Sequence, residues 1–466
     1  MKKDNVYLFG ASQKGLEAYN QLHQEYNIDG FIDNDSKKVN QYLLGIPIYS
    51  LEELVKKQEY NDIHIIISSM YDVDIVHQLL NNNIMNFSVY HNNQIKNLNF
   101  ESYLENEGEL DVVLFYFNYS GSNTVSLYKK VPEKMKKKYN IKLLDMNNKD
   151  ESYYYSLKNS KVRVWTHNYL SYKESYGVDI QTWHGFPLKS LYSLNKSTTT
   201  KEQTFQQWQK SLFVPSYSTL YEHLMSIAYK IKHESFAKTG MPRNDFLFND
   251  VSSTKMLLNR VLNKNLKNNK VFLYMPTYRK KKNSKVLNGV ENGYDILENG
   301  DLLELEEFLK KEDAYLLVKY HPLQVEAKNR LENFDHILNI TDEVLENLEI
   351  ELYEFLSEID VLITDYSSIY FDYLLINRPI IFAPIDLEEY RENRGLFLEP
   401  YSTWAPGSKV YSINQLIEEL NKLQHKEDEF KERREIIKEI VHENYQGNAS
   451  KDIWDKIEEV LEVKDN

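Results

Sequence analysis

Five short polar segments each stand where an apolar run stops. They are Trp183-His184-Gly185-Phe186-Pro187-Leu188-Lys189, Gly240-Met241-Pro242-Arg243-Asn244-Asp245, Met275-Pro276-Thr277-Tyr278-Arg279, Lys319-Tyr320-His321-Pro322 and Thr364-Asp365-Tyr366-Ser367-Ser368. A neutral imidazole can take a proton from an alcohol, while cations and hydroxyls neutralise phosphate charge. Either histidine alone reads as a buried, hydrogen-bonded side chain. Thr364 or Ser367 alone reads as a helix cap. Together the segments read as a site that holds a diphosphate and deprotonates an alcohol. There is no Walker motif and no metal-ligating histidine pair, so the sequence requires no protein-bound metal and leaves a divalent ion unassigned.

The elements that position these groups read as strands alternating with helices, which implies parallel sheets. In such sheets ligands bind where strands end and helices begin. One series runs through Asp111–Tyr116, Ile141–Leu144, Val162–Thr166 and Asp179–Trp183, and closes at Ser211–Ser216. An amphipathic helix ending near Lys138 lies within it. A second series runs through Val271–Met275, Tyr315–Lys319, Val361–Ile363 and Ile380–Phe382. Two series imply two facing Rossmann-like domains, with boundaries at 111–240 and 241–430, and C-terminal helices over 431–466 packing back across them. Residues 1–98 read as a further Rossmann-like module, joined by a polar, acidic linker over 99–110. Its ligand candidates are Gly10, Gly15 and Asp33. The glycine spacing departs from the dinucleotide fingerprint, and a Rossmann-like fold that binds nothing is an equal reading.

The 466 residues suffice for two or three domains. A formal net charge of −14 argues against a nucleic-acid partner. The absence of cysteine excludes disulfides and thiolate metal sites. No signal peptide is visible, and no apolar stretch approaches the ~20 residues that span a bilayer. The basic run Lys280, Lys281, Lys282 and Lys285 reads first as a solvated surface and second as a contact for anionic lipid.

The five segments, in order, resemble the CDP-glycerol glycerophosphotransferase family, which builds teichoic acids and related polyol-phosphate polymers. Phe371-Asp372, Pro379-Ile380-Ile381-Phe382, Arg394-Gly395 and Gly447-Asn448-Ala449-Ser450 continue the likeness, which covers about residues 175 to 460. The resemblance implies an α/β fold of GT-B type, with an active site between two Rossmann-like domains. It implies a CDP-polyol donor, with CDP-glycerol expected, and release of CMP. It makes His184 the general base and His321 a stabiliser of phosphate charge. Thr364, Ser367 and Ser368 match its phosphate-binding turn. Arg279, Asp365, Lys189 and Gly185 join the donor set, with Arg243 and Asn244 in a hinge-proximal motif. The acceptor is expected to be a polyol phosphate, a glycan or a lipid-linked primer. The enzyme would then work in the cytoplasm, peripherally on the inner membrane face, and as a homo-oligomer if the N-terminal module directs one. Residues 1–98, with Gly45-Ile46-Pro47-Ile48-Tyr49, resemble the nucleotide- or sugar-binding modules of bacterial polysaccharide enzymes.

Three other readings stay open. The same cleft could move a sugar from a nucleotide sugar. The donor polyol could be ribitol. The chain could be a nucleotide-binding scaffold or sensor without turnover.

Overall fold

The structure, a computed structural model, describes residues 4–57, 64–91, 93–106, 110–167, 177–194, 202–277, 279–280, 290–291, 296–298, 301–320, 330–425 and 428–465. His321 and the run 281–289 lie outside the described residues, as do the side chains of Arg279 and Lys280.

By packing, the chain divides into two compact units. The first comprises 1–113, 144–161 and 171–177; the second comprises 114–143, 162–170 and 178–466. The first unit holds seven strands: β1 (Asn5–Phe9), β2 (Asn27–Ile32), β3 (Tyr42–Leu43), β4 (Ile46–Tyr49), β5 (Ile65–Ile67), β6 (Asn86–His91) and β7 (Gln94–Asn99). Their order is β3-β4-β2-β1-β5-β6-β7, parallel around β1 and closed at each edge by an antiparallel strand. Val6, Leu8, Phe31 and Ile66 fill its core, as near-continuous apolar strands covered on both faces should.

The sequence reading of 99–110 as linker needs correction. Phe100–Asn106 is a helix, anchored by Phe100, which is buried with its ring 5.7 Å from that of Phe87. The helix Glu151–Asn159 belongs to the same unit. Its Tyr154 hydroxyl donates to the buried Asp72 carboxylate at 3.0 Å, and Lys149 pairs with that carboxylate at 2.5 Å.

Two further sheets, the centres of a first and a second lobe, carry four of the five segments, while Gly240–Asp245 follows a short strand outside them, Phe236–Ala237. One orders β11 (Val178–Gln181), β10 (Ser160–Trp165), β8 (Leu110–Tyr116) and β9 (Ile141–Asp145). The other orders β18 (Ile337–Asn339), β17 (Ala314–Val318), β14 (Lys270–Met275), β19 (Val361–Thr364), β20 (Ile380–Phe382) and β21 (Ser408–Lys409). Along β14, Val271 and Leu273 enter one core while Phe272 and Tyr274 enter another, the period-two alternation of a strand buried on both faces. The run 211–216 contributes only the short strand β12 (Val214–Pro215), paired with β13 (Phe236–Ala237). The expected helix to Lys138 is two helices, Asn123–Lys129 and Glu133–Lys138. Pro132 separates them because its ring and missing N–H interrupt a continuous helix.

The helices Lys431–His442 and Ala449–Asp465 end the chain. The last one returns to the first lobe, where the Trp454 indole donates to the Leu127 carbonyl at 3.0 Å.

Candidate active site

His184 follows β11 through a turn that its neighbours force. Trp183 sits at φ 55°, a conformation costly for a bulky residue. Gln181 Oε1 takes the Trp183 N–H at 2.9 Å, and Asn123 Nδ2 donates to the Trp183 carbonyl at 2.9 Å. Gly185 follows at φ 157°. A Cβ there would come within 2.4 Å of Ser368 Oγ, so only glycine lets the two lobes meet here.

The His184 ring is oriented by one bond, Nδ1 to the Thr166 carbonyl at 3.0 Å. A carbonyl only accepts, so Nδ1 carries the proton and Nε2 keeps its lone pair. Burial lowers the His184 pKa to about 4, with Arg243 and Lys189 acting in the same direction and the Thr166 bond opposing them. The imidazole is therefore neutral near pH 7. It stacks on His167 at 4.3 Å, whose own pKa is pushed well below the usual value by burial and then by His184.

Arg243 holds the site together from beneath. Its Nη1 donates to the Gly121 carbonyl at 2.8 Å and to the His184 carbonyl at 2.9 Å. Its Nη2 pairs with Asp372 Oδ2 at 2.6 Å. Burial opposes the charge, but the adjoining Asp372 carboxylate raises the Arg243 pKa above its ordinary value. The fully buried Asp372 also accepts from Asn244 Nδ2 at 3.0 Å and the Tyr353 hydroxyl at 2.7 Å. The structure thus corrects one sequence assignment: Asn244 is committed to Asp372 rather than to a donor phosphate. Arg243 borders the cavity, with its Nη atoms on backbone carbonyls and Asp372 and its buried Nε without a partner among the described residues.

Thr364, Asp365, Ser367 and Ser368 do not act alike. The Thr364 hydroxyl donates to the Met275 carbonyl at 2.7 Å, tying β19 to β14. Asp365 accepts the Thr277 N–H at 2.8 Å and so pins the 276–277 turn. A buried anion already holding N–H groups is a poor phosphate ligand, so both leave the donor set. Ser367 and Ser368 do line the cavity. Ser368 occupies the N-cap position of the helix Ile369–Tyr373 yet makes no side-chain cap bond. Thr364, bonded to Met275, thus does not cap that helix, and neither does Ser368.

The cavity encloses about 180 Å³. His184, His167 and Ser120 border it from the first lobe, and Lys319, Ser367 and Ser368 from the second. Lys319 is buried and pairs with Asp342 at 2.5 Å. Sequence reasoning missed Asp372 as a hub, His167, Ser120 and Glu351. Their one signal was position: Ser120 follows β8, as His184 follows β11. Glu351 is buried, which pushes its pKa up to about 8 against the opposing N–H bonds of Tyr353 and Gly121.

The remaining assignments fall elsewhere. The half-buried Lys189 bridges to Leu396, next to a Ser190 N–H to Gly395 carbonyl bond of 3.1 Å, which explains why the Arg394-Gly395 element accompanies it. Asp245 accepts the Ala449 and Ser450 N–H groups at 2.9 and 2.8 Å, capping the last helix. Arg279 lies on the short strand Arg279–Lys280. In the first unit, Gly10 and Gly15 serve packing: a Cβ on Gly10 would meet the Ser68 carbonyl oxygen at 2.6 Å, and one on Gly15 the Gly10 carbonyl oxygen at 1.8 Å. Asp33 is taken by the Ala11 N–H and Lys38 Nζ, each at 2.9 Å, and so is not a free ribose acceptor. Among the described residues no group of three or more His, Asp or Glu side chains is placed to hold a metal ion.

Comparison with known proteins finds relatives of one kind. The teichoic acid poly(glycerol phosphate) polymerase of Bacillus spizizenii is 32% identical over 288 residues, 59% of this chain and 68% of the relative. The teichoic acid glycerol-phosphate transferase of Staphylococcus aureus is 29% identical over 308 residues, 61% of this chain and 72% of the relative. A solved structure of the wall teichoic acid polymerase TagF superposes with a TM-score of 0.64 at 21% identity, covering 77% of this chain and 91% of that one, and it shares the GT-B type of fold. Residues 2–101 separately match the family described as C2185-like, N-terminal. Residues 69–459 match the family described as CDP-Glycerol:Poly(glycerophosphate) glycerophosphotransferase, and the chain belongs to that family.

Proposed function

We propose that this enzyme transfers glycerol phosphate from CDP-glycerol to a hydroxyl of a cell-wall or capsular polymer, or of its lipid-linked primer. The observation that carries the reading is the His184 Nε2 lone pair in one cavity with Ser367, Ser368 and Lys319. The acceptor oxygen attacks the phosphorus that bears glycerol. His184 Nε2 takes the acceptor proton, the bond to the CMP oxygen breaks, and CMP leaves with the electron pair. Ser367 and Ser368 donate to the phosphate oxygens, and Lys319 supplies positive charge beside them. Catalysis of this type rests on positioning and charge neutralisation. His184 need not be activated, because its tautomer and neutrality are set by Thr166 and burial.

The test is mass spectrometry of products from CDP-glycerol, CDP-ribitol and UDP-sugars with synthetic lipid-linked acceptors. Release of CMP with addition of glycerol phosphate is expected; transfer of a sugar from the UDP donors would overturn the reading. A lipid-linked acceptor would bring the enzyme to the inner membrane face. No helix among the described residues is long and apolar enough to cross a membrane. Peripheral attachment through Lys280, Lys281, Lys282 and Lys285 is tested by sedimentation with anionic against neutral vesicles.

A further inference from the structure

The turn 118–122, between β8 and the helix Asn123–Lys129, has no part in the transfer described above, yet the protein fixes it from both sides. The Gly121 N–H donates to the Glu351 carboxyl group. The Gly121 carbonyl accepts from Arg243 Nη1 at 2.8 Å. Glu351 is fully buried, and its other oxygen accepts the Tyr353 N–H at 2.7 Å. The two peptide groups that flank the Gly121 Cα are thus held, one by a carboxyl group and the other by a guanidinium.

The residue before Gly121 is Ser120. Its Oγ is buried and has no hydrogen-bond partner among the described residues, although Ser120 borders the cavity. A buried hydroxyl without a partner is unfavourable, and such groups in native proteins call for an explanation. A bound ligand supplies one. The same Arg243 Nη1 also holds the His184 carbonyl at 2.9 Å. Ser120 and the base are therefore set from one nitrogen, on the lobe opposite Ser367 and Ser368.

We propose that the 118–122 turn is the acceptor-contacting edge of the cavity, with the Ser120 hydroxyl bonding the attacking polyol and Glu351 acting as the positioning residue that holds the turn. The inference rests on the glycerophosphate-transfer reading. Ser120 shares an anchor with the group that receives the acceptor proton, so its hydroxyl faces the acceptor. The ligand class is a polyol phosphate whose free hydroxyl lies next to a second oxygen able to pair with Ser120.

The experiment uses the full chain, CDP-glycerol and a short soluble oligo(glycerol phosphate), with kinetics and separate calorimetric binding of each. Ser120→Ala should raise the acceptor KM and Kd about three- to tenfold, the value of one ordinary hydrogen bond. The donor Kd should not move, and Ser120→Thr should restore most of the loss. Glu351→Gln keeps the shape but replaces one accepting oxygen with a donor. It should raise the acceptor KM and lower kcat, with donor binding nearly unchanged. A rise in donor Kd with an unchanged acceptor constant would overturn the assignment, as would no change in either. A lower melting temperature for Glu351→Gln with unchanged KM would make Glu351 structural only. If the wild type releases no CMP from CDP-glycerol, the transfer reading fails, and oligomer binding by Ser120→Ala still decides the role of Ser120.

Discussion

The glycine turn of the first unit and the cavity of the second are built from the same parts, polar residues where parallel strands end. They differ in what is left over. At the first turn, Asp33 is used by the Ala11 N–H and Lys38, and Lys38 also donates to the Ala11 carbonyl at 3.0 Å. Lys14 is used in turn by the Ser69 carbonyl. In the cavity, Ser120 Oγ lacks a partner among the described residues, Ser368 makes no cap bond, and the His184 Nε2 lone pair is set by the bond at its other nitrogen. A polar cluster that satisfies itself stabilises a fold. One that is held rigidly and left incomplete is shaped for a substrate.

The largest effect that would break this contrast is at His184. His184→Ala should reduce turnover by ~10²–10⁴, the usual value of a general base, with CDP-glycerol binding nearly intact. A variant keeping more than half of wild-type turnover would remove His184 from the mechanism. The pH profile sharpens the same point. With a pKa near 4, His184 stays an unprotonated base through the range where an ordinary histidine titrates. The acid limb of kcat/KM assigned to it should therefore fall near pH 4–5 rather than near 6.5. Because its folded pKa is depressed, the stability contribution of His184 is full above 6.5 and is lost as pH falls from 6.5 through about 4. Glu351 has the opposite sign. Its pKa is raised to about 8 from 4.5, so its contribution is full below 4.5 and is lost as pH rises through 8. Melting curves of Glu351→Gln against the wild type at pH 5 and pH 8 would show it.

Next in size is the hub beneath the base. Asp372→Ala leaves Arg243 as a buried, unpaired cation and should cost ~3–5 kcal/mol of stability. Chemical denaturation measures this, and a cost under ~1 kcal/mol, the value of an exposed pair, would show the hub to be dispensable.

At the rim, Ser368→Ala should weaken CDP-glycerol binding by ~1.5–3 kcal/mol, the range for a hydrogen bond to a charged group, with little change in melting temperature. Unchanged affinity by calorimetry in the Ser367→Ala, Ser368→Ala double variant would reduce the turn to packing.

The smallest effect belongs to the other side of the comparison. Asp33→Asn loses one partly exposed ion pair, worth about 1 kcal/mol or less, and should leave transfer unchanged. Removing residues 1–108 is a different matter, although residues 1–98 read from sequence as a separate module joined by a linker. It takes Asp72 away from Tyr154 and Lys149, so the shortened chain should melt lower even if its cavity is intact. A shortened chain with an unchanged melting temperature would restore the linker reading.

The sequence by itself determined the parallel α/β architecture, the order of the five polar segments and the family. Apolar strand runs and polar strand ends are local patterns, and residues at fixed spacing survive without any knowledge of contacts. That was enough to single out His184, Ser367 and Ser368, which border one cavity. Tertiary structure alone decided what each neighbour does. Thr364 and Ser368 are both hydroxyls in one five-residue turn, yet strand pairing turns one to Met275 and leaves the other at the cavity. Asp372 and Arg243 are 129 residues apart, and their pairing follows only from how two sheets pack. Asp33 stood where a ribose acceptor belongs, until Lys38, five residues on, turned back to claim it. Ser120 and Glu351 carry no motif, because what distinguishes them is a missing partner and a buried carboxyl group, and neither exists until the chain has folded.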